Sequence, residues 1–360
     1  MKKFNNKNIV CVRRFTDRFR HGDETAIDGC LVQRLVLLGS LLLVTATSIA
    51  DEADAMLPLN MGNRSPFVAV FIAPQLIAIP PHTSGHQWSI SLDGASHSLI
   101  ETQANQNLAL DGETWRAELA WSYRPATRWV LHASIPWLSH SGGRLDPFID
   151  QWHELTGLPD GERPGQPRNG LEFTLQTPNE TLRLGSAANG PGDLTLGAMY
   201  QWSTSASSQT WIHADVKLPT GSISKFTGSD GTDIALSLEH RRILVIGRHR
   251  TELALLTGFI RTGSMGKLER LQKPQQTFAT VHFGATPASG LAPELQLRWR
   301  SATYTSATDH LGEPSLAIDG GLRWQTRQGV FQAGISEDIK VDSAPDVGFY
   351  LRFTRPHFSK

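Results

Sequence analysis

An all-β fold, an antiparallel up-and-down transmembrane barrel of about twelve strands, follows from three features of this 360-residue chain. From Gln87 onward, segments of about ten residues alternate apolar and polar side chains. The links between them are by turns short and long, as in barrels with tight turns at one rim and loops at the other. Near the N-terminus, Leu35 to Ile49 forms an apolar run after Arg34 that ends in small residues, the pattern of a secretory signal.

The leader sets the compartment. Cleavage is expected near Ala50 or Ala55, and the run is shorter than the roughly twenty apolar residues that a spanning helix needs. The residues ahead of it are long for a signal's charged region, which points to a start codon further downstream. Cys11 and Cys30 both precede the cleavage point, so the mature chain carries neither disulfides nor a thiolate metal site. The 34 basic and 34 acidic residues fall to 26 and 30 once residues 1–50, with eight and four of them, are set aside. A mildly acidic chain without a basic cluster argues against a nucleic-acid partner. Residues 51–86 form a periplasmic or lumenal lead-in, and 356–360 a short tail.

The strands are expected at 87–98, 113–124, 128–138, 193–204, 209–219, 232–243, 250–262, 275–287, 293–306, 315–326, 330–339 and 345–355. In the third, Trp129, Leu131, Ala133, Ile135 and Trp137 share one face and Val130, His132 and Ser134 the other. Eight residues at about 3.3 Å each, tilted by about 40°, rise roughly 20 Å, close to the apolar band of an outer membrane between its aromatic girdles. Short links near 125–127, 205–208, 244–249, 288–292 and 327–329 alternate with longer ones near 99–112, 139–192, 220–231, 263–274, 307–314 and 340–344. Both mature termini then lie in the periplasm.

One helix interrupts the pattern. In Leu145 to Arg163, Asp146 is a natural N-cap, Pro147 a natural first helical residue and Gly157 a natural C-terminal stop, giving a helix over 147–156. Phe148, Ile149, Trp152 and Leu155 make its apolar stripe, and His153 lies on the polar side. At loop height no lipid faces such a stripe, so the helix is expected to cap or plug the lumen, with Leu158, Leu171 and Phe173 among its apolar partners. The inward faces carry Arg116, Glu118, His213, Asp215, Lys217, Glu239, Arg298, Arg300, Asp319, Arg323 and Arg352. Charges of both signs in a narrow space pair, because a lone buried ion is costly. Candidate lumen or plug residues are therefore Phe148, Trp152, His153, Arg116, Glu118, Asp215, Lys217, Arg298 and Arg300.

Several blocks resemble the Gram-negative outer-membrane barrel family catalogued as domain of unknown function 3187. They are Leu108–Thr114 (LALDGET), Gly143–Arg163, Gly190–Leu194 (GPGDL), Lys217–Gly221 (KLPTG), Thr227–Asp233 (TGSDGTD) and Glu337-Asp338, and Leu57–Phe67 matches the family opening in part. The resemblance, from about Pro58 onward, implies a barrel in the outer membrane and brings no activity with it.

Loop carboxylates Asp111, Glu113, Asp146, Asp150, Asp160, Asp193, Asp230 and Asp233 suit an oxygen-loving cation, but none follows a calcium-loop spacing, and turn formation explains them as well. His97 and Ser98 are adjacent on a strand and so face opposite ways, which denies them a nucleophile–base contact. No cofactor is expected. The leading function is passage or binding of a small solute or lipid through a narrow or plugged lumen; a lipid hydrolase and a purely structural barrel are the alternatives. Expected partners are outer-membrane lipids and the barrel-assembly machinery, with the oligomeric state open.

Overall fold

A computed structural model describes residues 57–80, 83–143, 170–246, 249–285, 290–326, 328–340, 344–345 and 347–357. The expected helix at 147–156, with Phe148, Trp152 and His153, and the carboxylates Asp146, Asp150 and Asp160 lie outside the described residues, as does the leader.

Twelve antiparallel strands close on themselves. They are β1 (His86–Gln103), β2 (Gln106–Ala126), β3 (Trp129–Ser141), β7 (Leu194–Thr204), β8 (Ser208–Leu218), β9 (Asp233–Ile246), β10 (His249–Arg261), β11 (Gln275–Ala285), β12 (Leu291–Arg300), β13 (Ser315–Gln325), β14 (Val330–Asp338) and β15 (Val347–His357). Each pairs with the next, and β1 pairs with β15 from His86↔His357 to Ser96↔Val347, leaving no free edge among them. Closure satisfies the backbone donors and acceptors that lipid cannot.

Alternation sorts the side chains. Trp88, Ile90, Leu92, Leu119, Trp129, Leu131, Ile135, Trp137, Leu236 and Phe259 are exposed on the outer face, while Ser89, Ser91, Asp93, Glu118, His132, Asp215 and Glu239 are buried on the inner one. The exposed row is the surface that membrane lipid covers. The packing inside is close. A Cβ on Gly197 would lie 2.2 Å from Asp215 Oδ1 and 2.3 Å from His132 Cε1, so the missing side chain makes room for the His132–Asp215 pair, 3.0 Å apart. Gly197→Ala is expected to destabilise the barrel by about 1–3 kcal/mol, through forced displacement of that pair. The temperature at which the compact gel band is lost on heating in detergent measures it; an unchanged midpoint would show that the pair moves aside freely.

Three differences from the expected connections concern the loop rim. Residues 99–112 are not a loop: β1 and β2 continue as one long hairpin to Gln103↔Gln106, turning through Ala104 (φ 41°) and Asn105 (φ 68°). Asp111 and Glu113 therefore sit on β2. The projection is supported because β4 (Glu172–Gln176) pairs with Asn107–Asp111, β5 (Thr181–Leu184) pairs with β4, and β6 (Ala188–Pro191) pairs with the outer part of β3. Buried Leu108 and Leu110 then share an apolar cluster with Phe173, Leu175, Leu182 and Leu184. Thus part of the expected 139–192 loop is sheet. Lastly, β12 ends at Arg300, and residues 301–314 fold inward around Tyr304 and a short helix, α2 (Asp309–Gly312).

Candidate functional site

The chain from Leu57 to Pro80 runs inside the barrel, the lumenal one of the two courses open to the 51–86 lead-in. Pro58, Pro66, Pro74 and Pro80 lack backbone donors, which keeps this stretch out of a strand ladder. Its apolar residues still need cover: Leu57, Leu59, Met61, Phe67, Val68, Val70, Phe71, Ile72, Leu76 and Ile79 are all buried. The signal was legible as a proline-punctuated apolar run between the leader and the first strand.

The path goes up and comes back. At the short-turn rim, Leu57 packs with Val330 and Ala78, and its carbonyl accepts from Gln332 Nε2 at 2.6 Å. Leu59 and Met61 pack on Tyr350. Asn60 Nδ2 donates to Glu118 (3.0 Å) and Arg64 pairs with Asp93. A single helical turn, α1 (Pro66–Ala69), reverses the chain at the loop rim. Returning, Ile72 N–H donates to Asp233 Oδ2 (2.8 Å), Ile72 and Leu76 pack on Ala235, Ala254 and Leu256, and Ile79 packs on Val130, Met199 and Trp211. The Ile77, Ala78 and Pro80 carbonyls accept from Arg241 (2.5 Å), Ser122 (3.2 Å) and Arg124 (3.4 Å). The segment is a hairpin-shaped plug with both ends at the short-turn rim.

The tip of the plug enters a second seal. Phe67 meets Phe226 edge-on at 5.1 Å, and its carbonyl accepts from Tyr304 Oη at 2.7 Å. Burial pushes the Tyr304 phenol far above its ordinary range, so it remains a protonated donor. Phe71, Phe173, Met265, Leu268 and Leu311 complete an apolar core under the loops. Phe173, expected against the 147–156 helix, is fully buried here, with His97 at 5.4 Å and His140 at 5.6 Å on its ring. Ser65 Oγ lies 2.7 Å from His310 Nε2, a serine–histidine contact between plug and loop that the sequence did not reveal. With both residues buried, it latches the tip rather than facing solvent.

Ion pairs and a histidine–carboxylate contact line the wall. Arg116 pairs with Glu118, His213 Nε2 lies 2.8 Å from Glu239, Arg298 grips Asp319 through two nitrogens (2.6 and 2.8 Å), and Arg323 lies between Glu252 (3.3 Å) and Glu294 (3.5 Å). Arg300 donates to Gln276 at 2.8 Å.

Three of the sequence blocks meet at one point. Lys217 pairs with Asp193 and donates to Ser229 Oγ (2.8 Å) and the Gly231 carbonyl (2.9 Å), with Asp233 Oδ2 at 3.5 Å. Asp193 also accepts from Gly221 N–H (2.7 Å) and Ser229 N–H (3.1 Å). Of the loop carboxylates that suit a cation, several described ones are engaged separately. Asp233 belongs to this knot, Asp230 accepts from Ile223 N–H (3.0 Å), and Glu113 accepts from Trp115 Nε1 (3.0 Å). No metal-competent group of three ligating side chains occurs among the described residues.

Beside the plug a cavity of about 120 Å³ opens against β1–β3, β7, β8 and β15, lined among others by Arg64, Arg116, Glu118, His132, Asp215, Lys217 and Arg352. Pockets for drug-sized ligands run to about 300 Å³ or more, so this space takes water or a small solute.

Among solved structures, the barrel is similar to the COG4313 outer membrane channel from Pseudomonas putida F1, with TM-score 0.51 and 12% identity over 78% of this chain and 97% of that one. The Ralstonia pickettii toluene transporter TbuX aligns at TM-score 0.38 and 10% identity over 77% of this chain and 90% of that one. The KdgM porin gives TM-score 0.38 and 10% identity over 76% and 99%. The first of these likenesses, at 12% identity, speaks for the barrel fold and not for a solute. Comparison with curated proteins gave no match. The sequence itself matches the family described as protein of unknown function DUF3187 over residues 35–355, and with its closed twelve-stranded barrel the chain belongs to that family.

Proposed function

We propose that this protein is an outer-membrane channel for a small solute, closed in the present state by residues 57–80, which must shift before anything passes. The observation that carries the reading is the plug itself. It is an irregular segment joined to the wall by side-chain contacts rather than by a strand ladder, so it can leave without unpairing the barrel. The likeness of the fold to an outer-membrane channel supports the same reading. A lipid hydrolase gains no support from His97, whose Nε2 is committed to Thr114 Oγ1 at 3.0 Å.

A tether tests it. Ser122 Oγ already touches the Ala78 carbonyl, and the native cysteines, Cys11 and Cys30, both precede residue 57. In the double variant Ala78→Cys, Ser122→Cys, openings recorded in a planar bilayer are expected to vanish on oxidation and return on reduction. Openings that persist with the bridge formed would show that the plug is not the gate.

A further inference from the structure

The structure assigns a binding site for a small monocarboxylate to the cavity between plug and wall, with Arg64, Arg116 and Arg352 as its cationic donors. This deepens the channel reading by naming a solute class, but its test reads binding rather than conduction.

The argument begins with an imbalance. Three guanidinium groups meet there, each buried or nearly so: Arg64 from the plug, Arg116 from β2 and Arg352 from β15. Among the described residues, only two carboxylates stand within ion-pair distance of any of them. Arg64 takes Asp93, Arg116 takes Glu118, and Arg116 Nη1 reaches Asp93 Oδ2 only at 3.7 Å, beyond hydrogen-bond range. Arg352 has no ion-pair partner among the described residues; it donates to Pro58 O at 3.4 Å and to Ser89 Oγ at 3.1 Å. Three donor atoms, Arg64 Nη2, Arg116 Nη1 and Arg352 Nε, are buried without an acceptor. A cation buried without a counter-charge is costly, and a guanidinium fork matches a carboxylate by shape.

The space fits the same ligand. All three arginines line the cavity, together with Asn60, Gln87 and Ser89, whose polar groups suit a short polar or hydroxylated remainder. At about 120 Å³ the cavity admits an acid of a few heavy atoms and excludes an aromatic one. The three arginines outnumber Asp93 and Glu118 by one positive charge, which a single carboxylate would match, while Lys217 on the same cavity is already met by Asp193. Because Arg64 rides on the plug and the other two on the wall, a bound carboxylate ties the two together. It therefore stabilises the closed barrel, since a ligand that prefers one state shifts the balance toward it.

The experiment uses purified, folded protein in detergent, with the loss of the compact gel band on heating as readout. Sodium acetate is expected to raise the midpoint with saturation, whereas acetamide, its neutral isostere, and sodium sulfate at equal ionic strength do not. Arg352→Gln should abolish the acetate increment. Should that variant fail to fold, the parent protein still decides the matter: formate and acetate should stabilise and benzoate should not. Equal effects of acetate and acetamide, or of acetate and sulfate, would overturn the site, and equal stabilisation by chloride would replace it with a plain halide site. Acetate stabilisation in a barrel that never conducts would sink the channel reading and leave the site standing.

Discussion

Replacing residues 58–79 with a short Gly-Ser linker is expected to turn a closed barrel into a conducting one. The geometry allows the replacement, because Leu57 and Ala78 pack in one cluster with Val330 at the short-turn rim, and the two ends of the plug need little chain to join. The wall tolerates the loss as well. Ion pairs such as Arg298–Asp319 and Arg323–Glu252 lie between strands and survive, and Asp93, which loses Arg64, keeps Arg116 at 3.7 Å as water enters the lumen. The loop-rim core suffers most, since Phe67, Val70 and Phe71 leave it. Each such removal costs about 3–5 kcal/mol of local packing for a phenylalanine. That loss loosens the outer seal in the same step that empties the lumen. Planar-bilayer conductance should therefore rise by roughly an order of magnitude or more, while the heat-modifiable gel shift of a closed barrel is retained. A variant that keeps the gel shift and stays silent would place the barrier in the loops and remove the plug from its proposed role.

How much of this was legible beforehand follows from which interactions act locally. The strands were, because a period of two is imposed by the backbone itself, and Trp129 to Trp137 shows it without any tertiary knowledge. Inward orientation of Arg116, Glu118, Asp215 and Lys217 followed from the same parity. The lumenal course of the 57–80 segment stood only as one of two alternatives, and its plug shape is not legible, since an irregular segment has no period; only its prolines and its surplus of apolar residues betray it. The β1–β2 hairpin beyond residue 98 was missed because its apolar side chains, Leu99, Leu108 and Leu110, face a core assembled from distant loops. The same holds for Ser65 and His310, which lie 245 positions apart in sequence.

Lys217→Met should be among the most damaging single substitutions in the chain. The ammonium group is buried and serves Asp193, Ser229 and the Gly231 carbonyl, with Asp233 just beyond, so it joins β8 to the start of β7 and to the β8–β9 loop. Methionine fills similar space but leaves two buried carboxylates without their cation. Removing one member of a buried ionic group costs about 3–5 kcal/mol, because the remaining charge keeps its desolvation penalty and loses its partner. The effect should also reach the plug, since Asp233 holds Ile72 N–H at 2.8 Å and Gly263 N–H at 2.9 Å. Asp193→Asn should cost less: Lys217 would still face Asp233, and the amide oxygen can still accept from Gly221 or Ser229 N–H. Arg183→Ala, which breaks an exposed pair with Glu172, should leave stability unchanged and serves as the control. Denaturant midpoints read from the gel shift would rank the three variants, and an Asp193→Asn cost equal to that of Lys217→Met would show that the knot is held by its backbone hydrogen bonds and not by its charge.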